Sequence, residues 1–320
     1  MYPLLFSKVL KEKVWGGREF EEFLKIRLKP GVSYGESWEV SAHPSGPSII
    51  TQGPWQGKSL PDLVSERPDL LGAVEPRYQK KFPLLIKYLD IHDRLSVQVH
   101  PEDSYALAHE GEWGKSECWY VLKASPDARL ILGLAPGIDR ETFRQKSEAR
   151  SWDGLFQEVS VQEGDFVAIP PGTVHASVQG SLLICEVQQN SDTTYRIYDF
   201  DRFDNGALRP LHLKQALEVI RFDQKPRPLP RHARTATNVR GAAWETLAED
   251  PHYRVAHLAF DTEWEDPALD VFHIHSVLAG QGTVQSALGE WSVSAGQTWL
   301  IPAQVHTVWK GALKMLRSWV

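Results

Sequence analysis

The sequence predicts a mainly β protein built as two successive β-rich parts with short helical insertions. Three observations lead there. Short apolar runs recur at close spacing from Phe82 onward, Gly and Pro turn residues separate them, and a late segment repeats an earlier one. Twelve Trp and twenty-one Pro against two Met point to a rigid, turn-rich body with aromatic packing in place of a helical bundle. At 320 residues the chain exceeds the usual size of one domain, so two are expected.

Taken in order, residues 34–46 (YGESWEVSAHPSG) alternate between glycines and a proline, the pattern of a strand with turn punctuation. KSLPDLVSERPDLLG predicts a short helix: Ser59 can cap it, Pro61 lies in its first turn, Asp62 sits at capping-box distance and Gly72 follows Leu71. FPLLIKYLD, RLSVQVH, ECWYVLK, RLILGL, DFVAIP, ASVQG and LLICEVQ then read as strands joined by tight turns, which implies a sandwich or barrel. DRETFRQKSEAR and LHLKQALEVI interrupt them with helical periodicity. Residues 223–234 (DQKPRPLPRHAR) are too rich in Pro to pair in a central strand and read as an extended connection. The expected division is therefore residues 1–222, a Pro/Arg-rich linker at 223–236, and residues 237–320.

The repeat relates GDFVAIPPGTVHASV, from Gly164, to GQTWLIPAQVHTVW, from Gly296, with one residue deleted in the turn. Both copies run Gly, apolar strand, Pro turn, His. That order resembles the cupins, and the resemblance implies two cupin-type barrels of the double-stranded β-helix or jelly-roll kind.

Composition excludes several classes. A net charge of -6 repels a phosphate backbone, so nucleic acid is not an expected partner. The opening MYPLLFSKVLKEKVWGG has no continuous apolar core and no later run is long enough to span a bilayer, so a cytoplasmic location and no membrane partner are expected. Cys118 and Cys185 are too few for a disulfide framework and lack the spacing of a thiolate zinc site.

The chemistry gathers in three places. In LSVQVHPED, Gln98 and His100 leave one strand face while Val97 and Val99 face the other; in GKSECWYVL the same spacing pairs Lys115 with Glu117; in PPGTVH a rigid turn delivers His175. Two imidazoles, a carboxylate and an amide oxygen make a divalent-metal set that leaves a bound zinc site net positive, suited to an anionic substrate. A lone strand His is more often hydrogen-bonded or at the surface, so the specificity lies in the ordered combination. EVQQNSDTTYRIYDFDR, residues 186–202, is too polar for a core strand. Within it Arg196 can stabilise developing negative charge or fork a phosphate, and Asp192 can orient it or handle a proton; a salt-bridged edge strand is the plainer reading.

KVWGG, GESWEVSAH, FPLLIKYLD, LSVQVHPEDSYA, GKSECWYVL, GDFVAIPPGTVHA and SDTTYRIYDFDR, in this order, resemble the signature blocks of the type I phosphomannose isomerases, in particular their short bacterial form. The match runs from about Trp15 to Arg202 and is looser beyond. The resemblance implies an aldose-ketose isomerase that interconverts mannose 6-phosphate and fructose 6-phosphate through a cis-enediol. It implies one zinc per chain held by Gln98, His100, Glu117 and His175, with Arg196 beside it and Lys87, Lys115 and Asp192 lining the pocket. Catalytic roles fall to Arg196, Lys115 and Asp192, and phosphate binding to Lys87, Lys115 and Arg196. Lys87, after PLLI, also reads as a lysine snorkelling from a barrel rim. Lys115, Asp192, a zinc-bound water and a ligand His all stay open as the proton carrier.

In the second half, FHIHSV puts His273 and His275 on one face and His306 follows the second Pro turn. The carboxylate that such a metal pattern wants a few residues later falls on Val277, Leu278 and Ala279, none of which can ligate. The second part is therefore expected to be non-catalytic, a lid or packing partner, with three histidines that could still collect zinc from a medium. Two other functions compete. A cupin dioxygenase would also use His and carboxylate ligands, but Gln98, Lys115 and Arg196 suit a phosphorylated polyol better. A non-catalytic sugar-phosphate-binding protein would keep the fold without turnover, against which the intact ligand set and SDTTYR stand.

Overall fold

The computed structural model describes residues 1–204 and 206–320. Strand dominates, and two sheets position the site. A six-stranded antiparallel sheet runs Val9–Gly17, Tyr34–Val40, Leu84–Ile91, Leu182–Gln189, Glu117–Ala124, Phe166–Ile169. A five-stranded antiparallel sheet runs Tyr195–Tyr198, Val97–Val99, His175–Gln179, Arg129–Leu134, Phe156–Ser160. One apolar cluster joins them: Trp119, Val121 and Ile184 from the first pack with Val97, Val99, Leu130, Leu132, Ala176 and Ile197 from the second.

A nine-stranded sheet carries most of residues 237–320. Its path is Leu4–Leu5, Thr298–Ile301, His273–Ser286, Thr307–Trp319, Arg254–Phe260, Ala242–Glu249, Thr237–Val239, with Glu263–Asp266 and Gly289–Ser294 attached alongside. Trp264, Trp299, Trp309, Val277 and Met315 fill its own core. The largest apolar cluster lies between it and the six-stranded sheet, where Leu84, Ile86, Tyr88, Cys185 and Val187 meet Val255, Ile274, Leu300 and Leu316. Strand Leu84–Ile91 is buried at every position. Both of its faces are covered, which is why LLIKYLDI reads as a near-continuous apolar run.

The two copies of the repeat adopt the same local form, strand Phe166–Ile169 then His175–Gln179, and strand Thr298–Ile301 then Thr307–Trp319. All three expected helices form. Ser59 Oγ accepts from the Asp62 N–H to cap Leu60–Glu66, Asp139 Oδ1 accepts from the Thr142 N–H at 2.8 Å to cap Arg140–Glu148, and Leu213–Val219 completes the set. Helix Asp103–His109 and the single turns Phe20–Phe23 and Glu75–Tyr78 were not expected; Glu102, the N-cap of the first, makes no side-chain cap bond.

Gly72 does more than end a helix. At φ 69° it runs so close to Asp270 that a Cβ there would lie 2.0 Å from the Asp270 carbonyl oxygen. The Pro-rich segment is likewise docked: Leu229, between two prolines that have no N–H, donates its own N–H to the Phe166 carbonyl at 2.7 Å and accepts from the Phe166 N–H at 3.0 Å. No helix among the described residues is long and apolar enough to cross a membrane.

Candidate functional site

Register builds the site. Strand Val97–Val99 pairs on one side with Tyr195–Tyr198, which sets Arg196 opposite Gln98, and on the other with His175–Gln179, which sets His175 opposite Gln98. Directly opposed residues share a face, so Arg196, Gln98 and His175 project together. In the six-stranded sheet Glu186 stands opposite both Lys87 and Trp119, and Glu117 lies two residues before Trp119 on the same face. The two polar rows meet.

Where they meet, His100, Glu117 and His175 converge, all fully buried. The ring atoms are oriented from behind: His100 Nδ1 lies 2.9 Å from the Thr193 carbonyl and His175 Nδ1 lies 3.0 Å from the Thr173 carbonyl. A carbonyl can only accept, so each Nδ1 carries the proton and each Nε2 offers a lone pair. His175 Nε2 is 3.0 Å from Glu117 Oε1 and His100 Nε2 is 3.6 Å from Glu117 Oε2. Ligands bound at about 2.1 Å around one tetrahedral ion stand about 3.4 Å apart, so this spacing suits a shared cation.

Glu117 Oε1 is buried without a hydrogen-bond partner, facing a lone pair. Two electron-rich atoms so placed repel unless positive charge lies between them. Burial, and then the Lys115 ammonium, push the His100 pKa down to about 3, which keeps its imidazole neutral and able to ligate. Burial alone would raise Glu117, but the Lys115 ammonium outweighs it and holds the carboxyl well below its ordinary range. The Gln98 amide is 3.2 Å from His175 Nε2, and turning it over presents its oxygen to the same point. The donor set fits a divalent ion.

Above these donors lies a cavity of about 270 Å³ whose wall includes Gln98, Lys87, Lys115, Asp192 and Arg196. A larger cavity, about 540 Å³, opens near Phe82 and Trp113 but contains none of the donors. Lys115 hydrogen-bonds Glu117 and lies 3.3 Å from His100 Nε2, so it touches donors and cavity alike. Lys87 is not a rim lysine. It is buried, 3.5 Å from Glu186, 3.7 Å from Glu36 and 3.9 Å from Asp192, with its ammonium over the Trp38 ring. Burial opposes its charge, but those carboxylates prevail and raise its pKa. Arg196 donates from Nη1 to the Pro210 carbonyl at 2.9 Å, and its own N–H donates to His212 Nδ1 at 3.1 Å.

Four charged wall residues escaped the sequence reading. Glu36 and Glu186 sit inside GESWEV and LLICEVQ, where a carboxylate in an otherwise buried strand was the available signal; Lys87 and Lys13 hold Glu36 ionised, with a pKa of about 2 despite its burial. Lys13, on strand Val9–Gly17, and Arg209, on a loop, are far from the other wall residues in sequence and gave no signal.

In the second part His273 and His275 do meet, but His306 does not join them: it is exposed, 2.9 Å from Glu265. The carboxylate missing downstream of His275 is supplied from upstream, by Asp266.

The family model of the type I phosphomannose isomerase catalytic domain matches residues 4–120. The mannose-6-phosphate isomerase of Streptococcus mutans is 36% identical over 319 residues, covering 99% of this chain and 98% of its own. One from Bacillus subtilis is 38% identical over 302 residues, covering 94% and 93%. The crystal structure of mannose 6-phosphate isomerase from Bacillus subtilis matches along the whole of both chains with a TM-score of 0.91 at 32% identity. Salmonella typhimurium phosphomannose isomerase, at 13% identity and a TM-score of 0.77, shares the fold. Similarity of this extent takes in both the blocks around the cavity and the sheet beyond them, and it makes this chain a member of the type I phosphomannose isomerase family.

Proposed function

We propose that the chain interconverts mannose 6-phosphate and fructose 6-phosphate, using one zinc ion held by Gln98, His100, Glu117 and His175. The observation that carries this reading is the convergence of two Nε2 atoms on the Glu117 carboxylate beneath a cation-lined cavity, His175 on the unpartnered Oε1 and His100 on Oε2. A bound zinc would supply Lewis acidity, drawing charge from the substrate oxygens as the carbonyl shifts.

The chain's own residues do the rest. Lys87, Lys115 and Arg196 offer fixed positive charge for a phosphate, and Arg196 adds a planar fork for the negative charge that grows on oxygen in the enediol. One proton leaves C2 and one is returned to C1, while the hydroxyl and carbonyl exchange places, so the atoms balance without a co-substrate. Lys115 and Asp192, both in the cavity wall, are our side-chain candidates for carrying that proton, beside a metal-bound water and a ligand His. Glu36 and Glu186 keep Lys87 charged and still. We further read the two β-rich parts as two cupin units, residues 1–222 and 237–320 with 223–236 between them, only the first catalytic.

A coupled assay with mannose 6-phosphate tests this. Turnover should vanish when a chelator strips the metal and return with added zinc. Full turnover in protein proven metal-free would overturn the zinc reading, and no turnover in the zinc-loaded enzyme would overturn the substrate.

A further inference from the structure

Among the described residues one more cluster carries metal-type donors. Asp266, His273 and His275 are all buried in the nine-stranded sheet. Asp266 Oδ2 lies 2.7 Å from His273 Nε2 and 2.8 Å from His275 Nε2, so three donor atoms face one point. The His275 contact has hydrogen-bond geometry; the His273 contact does not, and both His273 nitrogens are left without a partner.

The deficit extends around them. His275 Nδ1, Trp264 Nε1, and Arg317 Nε and Nη2 are also buried without a hydrogen-bond partner. Native interiors leave few such atoms, and a gathering of them marks a group that belongs there. The cavity site carries the same mark at Glu117 Oε1. Placement repeats too: His273-x-His275 stands on its strand as Gln98-x-His100 stands on its own, each followed by a strand, Pro turn and strand copy of the internal repeat.

We propose that Asp266, His273 and His275 bind a second divalent transition metal, through the aspartate Oδ2 and the two Nε2 atoms. Two imidazole nitrogens and a carboxylate oxygen form a zinc-type donor set. Arg317 is the objection, since its guanidinium adds positive charge. Its Nη1 lies 3.0 Å from the other oxygen, Oδ1, and its head is packed against the rings of Trp244, Trp264 and Trp319. That contact lacks hydrogen-bond geometry and leaves Oδ1 without a partner too, so the guanidinium offers its charge to the outer oxygen while Oδ2 faces both imidazoles. With the donors fully buried, the metal is structural and enters as the sheet folds. The site goes beyond the isomerase reading and does not depend on it.

The chain is unfolded, refolded in excess zinc, desalted and analysed for zinc per chain. Wild type should hold about two, and His275→Gln or Asp266→Asn about one with turnover of mannose 6-phosphate retained. Glu117→Gln should keep the structural ion while losing turnover. A wild type with a single zinc that His275→Gln keeps and Glu117→Gln loses would overturn the proposal, leaving Arg317 as the cluster's own cation. A zinc lost in His275→Gln but unchanged in Glu117→Gln would sustain it and sink the cavity site instead. His275→Gln and Asp266→Asn test the same site, so if one of them fails to fold the other supplies the comparison.

Discussion

Arg196 separates charge from shape. A lysine there would keep the charge but not the planar fork, and the backbone around Arg196 is built to aim that fork: its N–H and carbonyl are both bonded to His212, and Nη1 is tethered to Pro210. Lys87, by contrast, is fixed by a carboxylate cage that needs only a point charge. We therefore expect Arg196→Lys to lower kcat by roughly 10²–10³, the range for removing one aimed donor to a developing oxyanion, while KM and zinc content change little. Near-normal kcat with a greatly raised KM would mark Arg196 as a phosphate anchor.

Strand Leu84–Ile91 shows how an element divides its labour. Leu84, Ile86 and Tyr88 pack toward the nine-stranded sheet while Lys87 turns to the cavity, and at its end Asp90 accepts from the Glu19 N–H at 2.6 Å. Burial pushes the Asp90 carboxyl from 3.8 up to about 6, against that backbone bond. Between those two values the folded chain holds a proton that the unfolded chain has released, so this group's contribution to stability falls as pH rises through the window and stays low above it. Urea unfolding of wild type and Asp90→Asn at several pH values checks the sign. The variant should gain on wild type from pH 4 to pH 7, and parallel curves would refute the shift. Such elements were legible where local chemistry is self-contained: the cap at Ser59 predicted its helix because the cap is part of the sequence, and the apolar period of DRETFRQKSEAR predicted Arg140–Glu148. Helix Asp103–His109 was not, because Asp103 gives its carboxylate to the Gly114 N–H and the Gln189 amide, partners that only the fold brings near. For the same reason Gln98, His100, Glu117 and His175 could be picked out by spacing and resemblance, whereas Asp266 lies upstream of its histidines on a separate strand that pairs with Thr307–Trp319.

Across the whole molecule the two β-rich parts are tied at several separate places. Leu4 and Leu5 pair with Leu300 and Trp299, Gly72 abuts Asp270, and Ser116, between Lys115 and Glu117, donates to Asp250 at 3.0 Å. The largest apolar cluster draws on both parts. Contacts this extensive couple their unfolding, and one of them stands directly behind the strand that carries Glu117. Thermal unfolding followed by Trp fluorescence should therefore give one transition, with isomerase activity lost along the same curve. Leu4 is fully buried, so Leu4→Ala should cost about 2–5 kcal/mol and shift that single transition as a whole. A wild type that melts in two steps, with Leu4→Ala moving only the step that leaves activity intact, would show instead that the nine-stranded sheet folds independently of the cavity.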